Sequence, residues 1–364
     1  VTATWTEKAA ELICVGVKTP RLEDDTKRLL DRGVAGVLLY DFAFRGPLEA
    51  QKLINSIKEY AGRSLFVAVD HEGGERSHLQ RGFTRLPELR ALGETRDGAY
   101  AREVGRVIGR ELRAIGIDLC LGPVLDIATN PHNPVIGMRS LGPDAAVVAE
   151  LGTQLSRGIQ EEGVAACGKH FPGHGDTISD SNHQLPVLAH GVSRLEEVEL
   201  RPFVRAVESR IAAMLVGHIL FRALDPKYPA SLSRPILYGL LRQRLGYRGF
   251  VMIDDVDMGA LTQHFQVSEI AEHGIAAGAD CFLCARRPET ALALIDSIAL
   301  GVERGTVLPE RVETARRRVG ALLHRYALGP RMTPLSEVGS ERHARLLEPI
   351  GGGRPSLRAP DSED

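Results

Sequence analysis

Residues 64–70 read Ser-Leu-Phe-Val-Ala-Val-Asp, a short apolar run that stops on a carboxylate. The run is nearly continuous rather than alternating, which marks a strand covered on both faces, as in a parallel sheet. Seven more runs of this kind are spaced along the chain, at 11–17, 34–40, 118–127, 164–171, 212–219, 249–255 and 281–285. Amphipathic segments lie between them. After Gly98, residues Val104, Val107, Ile108, Leu112 and Ile115 mark one helical face, and after Pro143, Val147, Leu151, Leu155 and Ile159 repeat at i+4. Ser193 and Glu196 have the spacing of a capping box at the head of the next helix. Ser233, Pro235 and Gly246 frame a helix over 234–245 as N-cap, early proline and stop. Eight strands alternating with helices predict an α/β fold, a single (β/α)8 TIM-like barrel over residues 1–335. A doubly wound open sheet is the main alternative, but no GxGxxG follows the first strand. Residues 336–364, rich in Gly, Pro, Arg and acids, predict a flexible C-terminal tail.

The chain has 364 residues, long for one domain but within the reach of such a barrel. With 45 Lys+Arg against 47 Asp+Glu, the net charge of −2 gives no electrostatic case for nucleic acid or an anionic membrane as partner. No apolar run approaches the roughly 20 residues that span a bilayer. The opening Val-Thr-Ala-Thr-Trp-Thr-Glu-Lys lacks the order of a signal peptide. Cys14, Cys120, Cys167, Cys281 and Cys284 all fall in the apolar runs and read as buried, reduced thiols of a cytoplasmic protein. Cys281 and Cys284 have CxxC spacing, but a strand turns them to opposite faces, which argues against zinc or redox chemistry. Oligomeric state is not legible.

Polar residues collect where the apolar runs end, the place where barrel enzymes carry their chemistry. The third run stops at Asp70, the fourth near Asp126, the fifth at Lys169 and His170, the sixth at His218 and the seventh at Asp254 and Asp255. A lone aspartate at a strand end commonly caps the next loop. Five such ends on one rim call for a polar ligand to use them. The densest stretch is 169–183, Lys-His-Phe-Pro-Gly-His-Gly-Asp-Thr-Ile-Ser-Asp-Ser-Asn-His, with three histidines and two aspartates. His170 and His174 are four apart, yet Pro172 and Gly173 forbid the helix on which two histidines would share a metal, so no metal is expected. The stretch reads as a glycine-hinged loop carrying a proton donor over the barrel mouth, or as a solvated loop whose histidines cap helices.

Lys-His-Phe-Pro-Gly-His-Gly-Asp-Thr at 169–177, followed by Asp-Ser at 180–181 and Leu-Pro at 185–186, resembles the signature of the bacterial β-N-acetylglucosaminidases of glycoside hydrolase family 3. Val-Asp-His-Glu-Gly-Gly (69–74), Thr-Arg-Leu-Pro (84–87), Arg-Ser-Leu-Gly (139–142), Val-Gly-His-Ile (216–219), Pro-Ala-Ser-Leu-Ser (229–233), the run 249–258 and Ala-Ala-Gly-Ala-Asp (276–280) agree in order and spacing. The resemblance covers roughly residues 10–330. It implies a one-domain barrel that removes terminal β-linked N-acetylglucosamine with retention and without metal or cofactor. It assigns Asp254 as nucleophile and Asp70, Arg139, Lys169 and His170 as ligands of the sugar hydroxyls, with His218 on the rim.

Two departures stand out. The family carries its acid/base histidine in Asp-Ser-His; here Asp180 and Ser181 are followed by Asn182, and His183 comes one residue late. An amide is no general acid at neutral pH, whereas an imidazole is one. His183, oriented by Asp180, is therefore the expected donor, with Asn182 among the sugar contacts. His78 stands where the family has an arginine, eight residues after Asp70, and is also expected to touch the substrate. The alternatives are a same-fold enzyme with an altered reaction or substrate (transglycosylase, phosphorylase, or an enzyme of modified sugars or natural-product glycosides) and a non-catalytic sugar-binding relative.

Overall fold

The structure is a computed structural model that describes residues 3–40, 44–327 and 333–355. Its frame is a closed barrel of eight parallel strands. These are β1 (Ile13–Val17), β2 (Gly36–Leu39), β3 (Phe66–Val69), β4 (Leu119–Cys120), β5 (Ala165–Phe171), β6 (Ala213–Val216), β7 (Phe250–Ile253) and β8 (Cys281–Cys284). β1 pairs with both β2 and β8, which closes the ring. Each apolar run of the sequence supplies one strand. The run 118–127 supplies only two residues of regular strand, because Pro123 has no N–H to give the ladder. The chain rejoins its neighbour at Val124, beside Lys169. All five cysteines are buried and free, and burial pushes their thiols up, so they act as core residues.

The helices follow the apolar stripes. Gly98–Ile115 buries Val104, Val107, Ile108, Leu112 and Ile115; Asp97 caps it by accepting from the Tyr100 amide at 3.0 Å. It packs on Ala145–Glu161 at a close crossing, where a Cβ on Gly158 would stand 2.1 Å from the Arg102 carbonyl oxygen. Ser233 does cap the segment Pro235–Arg244, accepting from the Ile236 amide at 3.2 Å, but that segment is a π-helix. The capping box expected at Ser193 and Glu196 does not form. The helix begins earlier, at Val192 after Gly191, and the Glu196 carboxylate is taken by Arg244. Among the described residues, no helix is long and apolar enough to cross a membrane.

The expected flexible tail over 336–364 differs from the structure across its described part. Glu341–Leu347 is a helix, Ala344 and Leu347 are buried, and Gly353 pairs with Arg85. Residues 356–364 lie outside the described residues. The anchor is Glu111, buried on the helix Gly98–Ile115. It accepts from the Thr84 hydroxyl and amide, the Gly339 amide at 3.0 Å and His343 Nδ1 at 2.8 Å. Composition hid this, since the segment is short of apolar residues but supplies donors to one buried carboxylate. Glu111→Ala would leave these donors unpaired, and is expected to lower unfolding stability by about 2–4 kcal/mol. A urea midpoint unchanged from wild type would contradict that role.

Candidate active site

Parallel strands bring their C-terminal ends to one face. Asp70 follows β3, Asp126 follows β4, Lys169 and His170 lie within β5, His218 follows β6 and Asp254 follows β7. Successive strand residues normally face opposite ways. The β5–β6 pairing shifts register between Gly168 and Phe171, which relieves the alternation at Lys169 and His170. The buried Lys169 ammonium lies 2.5 Å from Asp70 Oδ1 and 2.5 Å from Glu72 Oε1. Arg139 grips the same Glu72 with two parallel bonds, Nε to Oε2 at 2.7 Å and Nη2 to Oε1 at 2.8 Å. His170 donates Nδ1–H to Asp126 Oδ2 at 2.6 Å, and the backbone amides of His170 and His174 also reach Asp126. That leaves Nε2 as the ring's open nitrogen.

Electrostatics keep this face ionised. Burial alone would raise the Asp254 carboxyl, but His170, His218, the Asp255 amide and Lys169 together outweigh it and hold its pKa below the usual range. Burial likewise opposes charge on Glu72, and Lys169 and Arg139 overcome it, so Glu72 also stays well below the normal carboxylate range. Asp255 behaves differently. Burial lifts it to about 6, despite accepting from the Ala285 and Asp257 amides and pairing with Arg286 at 3.0 Å. His174 is pushed down to about 4, first by burial and then by His170, so it is neutral at pH 7.

The loop 173–183 is tied at both ends. His174 Nδ1 meets the Thr177 hydroxyl at 2.7 Å and Nε2 meets the Ser181 hydroxyl at 3.1 Å. Further on, the Gly259 amide donates to the Asn182 carbonyl at 2.9 Å, the Ala260 amide to Ser181 and the Gln263 side chain to His183. Gly259 has no room for a side chain, since a Cβ there would stand 2.5 Å from the His183 carbonyl oxygen. Asn182 is locked: its amide and Nδ2 donate to Asp180 Oδ1 at 2.8 and 2.9 Å, and its Oδ1 accepts from Arg286 at 2.6 Å.

The sequence-predicted residues therefore separate. Asp70, Arg139 and Lys169 are joined through Glu72 in one ion-pair network, and His170 and Lys169 both act on Asp254. His78 is half-buried on the strand-three loop, its ring edge-on to Tyr40 at 5.4 Å and its amide bonded to the Asp70 carbonyl. His218 lies deeper than the rim position expected of it. It is fully buried with both nitrogens engaged, Nδ1 by Ser231 at 2.8 Å and Nε2 by the Asp255 carbonyl at 3.1 Å. It supports the strand end that carries Asp254. The pairing of His183 with Asp180 is absent in this conformation. The Asp180 oxygen is taken by Asn182, and the His183 ring is exposed.

Sequence reasoning passed over Glu72, Asp126 as the holder of His170, and Arg286. Glu72 lay inside the quoted 69–74 stretch and Asp126 at a strand end, whereas nothing marked Arg286. Among the described residues, no group of three or more His, Cys, Asp and Glu gathers as metal ligands.

Residues 4–322 match the family described as "Glycosyl hydrolase family 3 N terminal domain". The chain is 36% identical over 346 residues to a beta-hexosaminidase of Thiobacillus denitrificans, spanning 93% of this chain and 92% of that protein. It is 38% identical over 274 residues to a beta-hexosaminidase of Neisseria meningitidis serogroup C, spanning 73% and 75%. Among solved structures it is similar to a glycoside hydrolase family 3 beta-N-acetylglucosaminidase from Paenibacillus sp. str. FPU-7, with TM-score 0.92 and 38% identity over 96% of this chain and 68% of that one. It is also similar to a beta-N-acetylhexosaminidase from Beutenbergia cavernae, with TM-score 0.83 and 27% identity over 89% and 99%. A profile match across most of the barrel and this degree of identity over nearly the whole length leave one assignment: the chain belongs to glycosyl hydrolase family 3.

Proposed function

We propose that the protein removes terminal β-linked N-acetylglucosamine, or a closely related sugar, from glycosides with retention of configuration. The observation that carries this reading is the Asp254 carboxylate, half-buried at the strand ends and held ionised beside His170 and Lys169. In the proposed reaction an Asp254 oxygen attacks the anomeric carbon, forms a glycosyl ester and displaces the leaving oxygen. Water then attacks the same carbon and frees Asp254. Two inversions give net retention. Asp70, Arg139 and Lys169 would bind the sugar hydroxyls, the cations through charge-assisted hydrogen bonds. Carbohydrate is the partner this chemistry requires. We further infer a cytoplasmic location, which five free, buried cysteines support. Following 4-nitrophenyl N-acetyl-β-D-glucosaminide by proton NMR tests the stereochemistry. The β-anomer is expected first, and initial release of the α-anomer would overturn the nucleophile assignment.

The proton donor we assign is His183. Its exposed ring reaches a leaving oxygen only after 180–183 releases residues 259–263 and Arg286. General acid help matters most for poor leaving groups and is worth about 10²–10⁴-fold. His183→Ala is therefore expected to cut turnover of alkyl glycosides by that range while sparing nitrophenyl glycosides. Equal effects on the two would remove His183 from the role.

The pH profile has a stated origin. Asp254, with its pKa depressed, stays ionised as pH falls through the neutral range. Asp255, raised to about 6, takes up a proton there and gives up its ion pair with Arg286. An acidic limb near pH 6 is expected, and Asp255→Asn should hold the enzyme near its low-pH rate throughout. A limb that survives unchanged in Asp255→Asn would assign it to another group.

A further inference from the structure

After β3 the chain leaves the barrel and folds back on itself, and the fold-back carries Asp70 and Glu72. His71 pairs with Ser77 in an antiparallel bridge. The His78 amide donates to the Asp70 carbonyl at 3.1 Å, and the Gly73 amide to the Ser77 hydroxyl at 2.9 Å. This turn leans on the stretch 84–88. The Gly74 amide donates to the Leu86 carbonyl at 3.1 Å and the Glu75 amide to Glu88 Oε1 at 3.2 Å. Where 84–88 sits therefore decides where the turn, with Asp70 and Glu72, is held.

Among the described residues, 84–88 lies in no strand of the barrel; the C-terminal segment pairs with it instead. The Arg85 amide donates to the Gly353 carbonyl at 2.9 Å, and the Gly353 amide returns a bond to the Arg85 carbonyl at 3.1 Å. Arg85 Nη2 adds a bond to the Gly351 carbonyl at 3.0 Å. Contact is backbone to backbone on both sides of the helix Glu341–Leu347. A Cβ on Gly339 would stand 2.6 Å from the Gly82 carbonyl oxygen, and one on Gly352 would stand 2.8 Å from that of Arg85. The segment is itself braced on the barrel helix Gly98–Ile115. There the Tyr100 hydroxyl donates to the Leu346 carbonyl at 2.6 Å, and Glu111 accepts from His343.

We propose, on the sugar-binding roles given above to Asp70, Arg139 and Lys169, that the segment 335–355 is a positioning element of the sugar site. It fixes 84–88, and through it the turn that presents Asp70 and Glu72 to the barrel mouth. Lys169 and Arg139 meet at Glu72 through bonds of 2.5 to 2.8 Å, so a shift of the turn disturbs both cations at once. Asp254 and the loop 173–183 follow other strands. Loosening the segment therefore weakens sugar binding and leaves the chemical step in place. The coupling runs both ways, so bound sugar tightens the segment's hold on 84–88.

Gly352→Val tests this by forcing the segment off Arg85 without altering the barrel core. Kinetics are taken below the melting range of each variant. KM for 4-nitrophenyl N-acetyl-β-D-glucosaminide and the inhibition constant of N-acetylglucosamine are both expected to rise about five- to tenfold, with kcat within about twofold of wild type. Arg85→Ala is a milder variant that removes the side-chain bond to Gly351 and should raise both constants by about twofold. Val312→Ala weakens packing in the distant helix Pro309–Leu322 and should leave both constants at the wild-type values. In wild type, saturating N-acetylglucosamine should slow hydrogen exchange across 339–353, followed by mass spectrometry, and Gly352→Val should lose that protection. Unchanged KM and inhibition constants in Gly352→Val, or an equal rise in Val312→Ala, would overturn the positioning role. Both constants report affinity, so they hold whichever carboxylate is the nucleophile; failure of the retaining reaction shows separately, as the α-anomer.

Discussion

Asp254→Asn is expected to lower kcat on natural glycosides by a factor on the order of 10⁴ with little change in fold. The amide matches the carboxylate in size and can still accept from the Asp255 amide, which bonds Asp254 Oδ1 at 2.8 Å. What it loses is the charge and the nucleophile. His170, His218 and Lys169 lower the Asp254 pKa by favouring its anion. An uncharged residue there leaves their field without its counter-charge, so some loss of stability accompanies the loss of rate. Because a covalent step cannot be replaced by binding energy alone, KM should move far less than kcat. Turnover at a tenth of wild type or better would place the nucleophile elsewhere.

The second large effect is expected at Lys169. Its ammonium sits between Asp70 and Glu72, 2.5 Å from each, and is 2% exposed. Lys169→Met keeps the stem and removes the charge. Glu72 retains Arg139, but Asp70 loses its ion pair, and two carboxylates then face each other at the edge of the core. Breaking a buried pair in this way costs about 3–5 kcal/mol. The pH dependence has a definite sign. Glu72 has a folded pKa below its unfolded value, so its stabilisation is present above the unfolded value and lost as pH falls through the folded one. In the variant that depression shrinks, so the stability gap to wild type should hold above the unfolded value of 4.5 and narrow as pH falls below it. Thermal melts of both proteins between pH 7 and 2.5 measure it; a gap that stays constant through the acid end would mean that the loss is packing rather than charge. Activity should fall as well, since Lys169 is proposed to bind a sugar hydroxyl.

How much of this was legible in sequence depended on how local the physics is. The strands were readable because burial on both faces leaves continuous apolar runs such as 64–70 and 281–285, and the helix Gly98–Ile115 because its stripe repeats at helical spacing. The rim was readable because polar residues interrupt those runs at their ends. The partnerships were not. Glu72 joins Lys169 and Arg139 across three separate strand ends, and no local pattern encodes that meeting. Asn182 and Arg286 are far apart in sequence, and only the fold brings them to 2.6 Å. The helix Glu341–Leu347 was hidden for the same reason: its segment's Gly, Pro and Arg content describes the composition of a loose tail, while its position depends on Glu111. His218 shows the converse. A histidine at a strand end reads as rim, but here Ser231 and the Asp255 carbonyl claim both nitrogens.

The central claim is that Asp254 forms the bond to the sugar. Mass spectrometry of the protein after incubation with a slow fluorinated N-acetylglucosaminide tests it most directly. The account predicts one added glycosyl group per chain, on the peptide containing Asp254, and none on Asp254→Asn. A label found on a different residue, or steady turnover of that glycoside in Asp254→Asn, would contradict it.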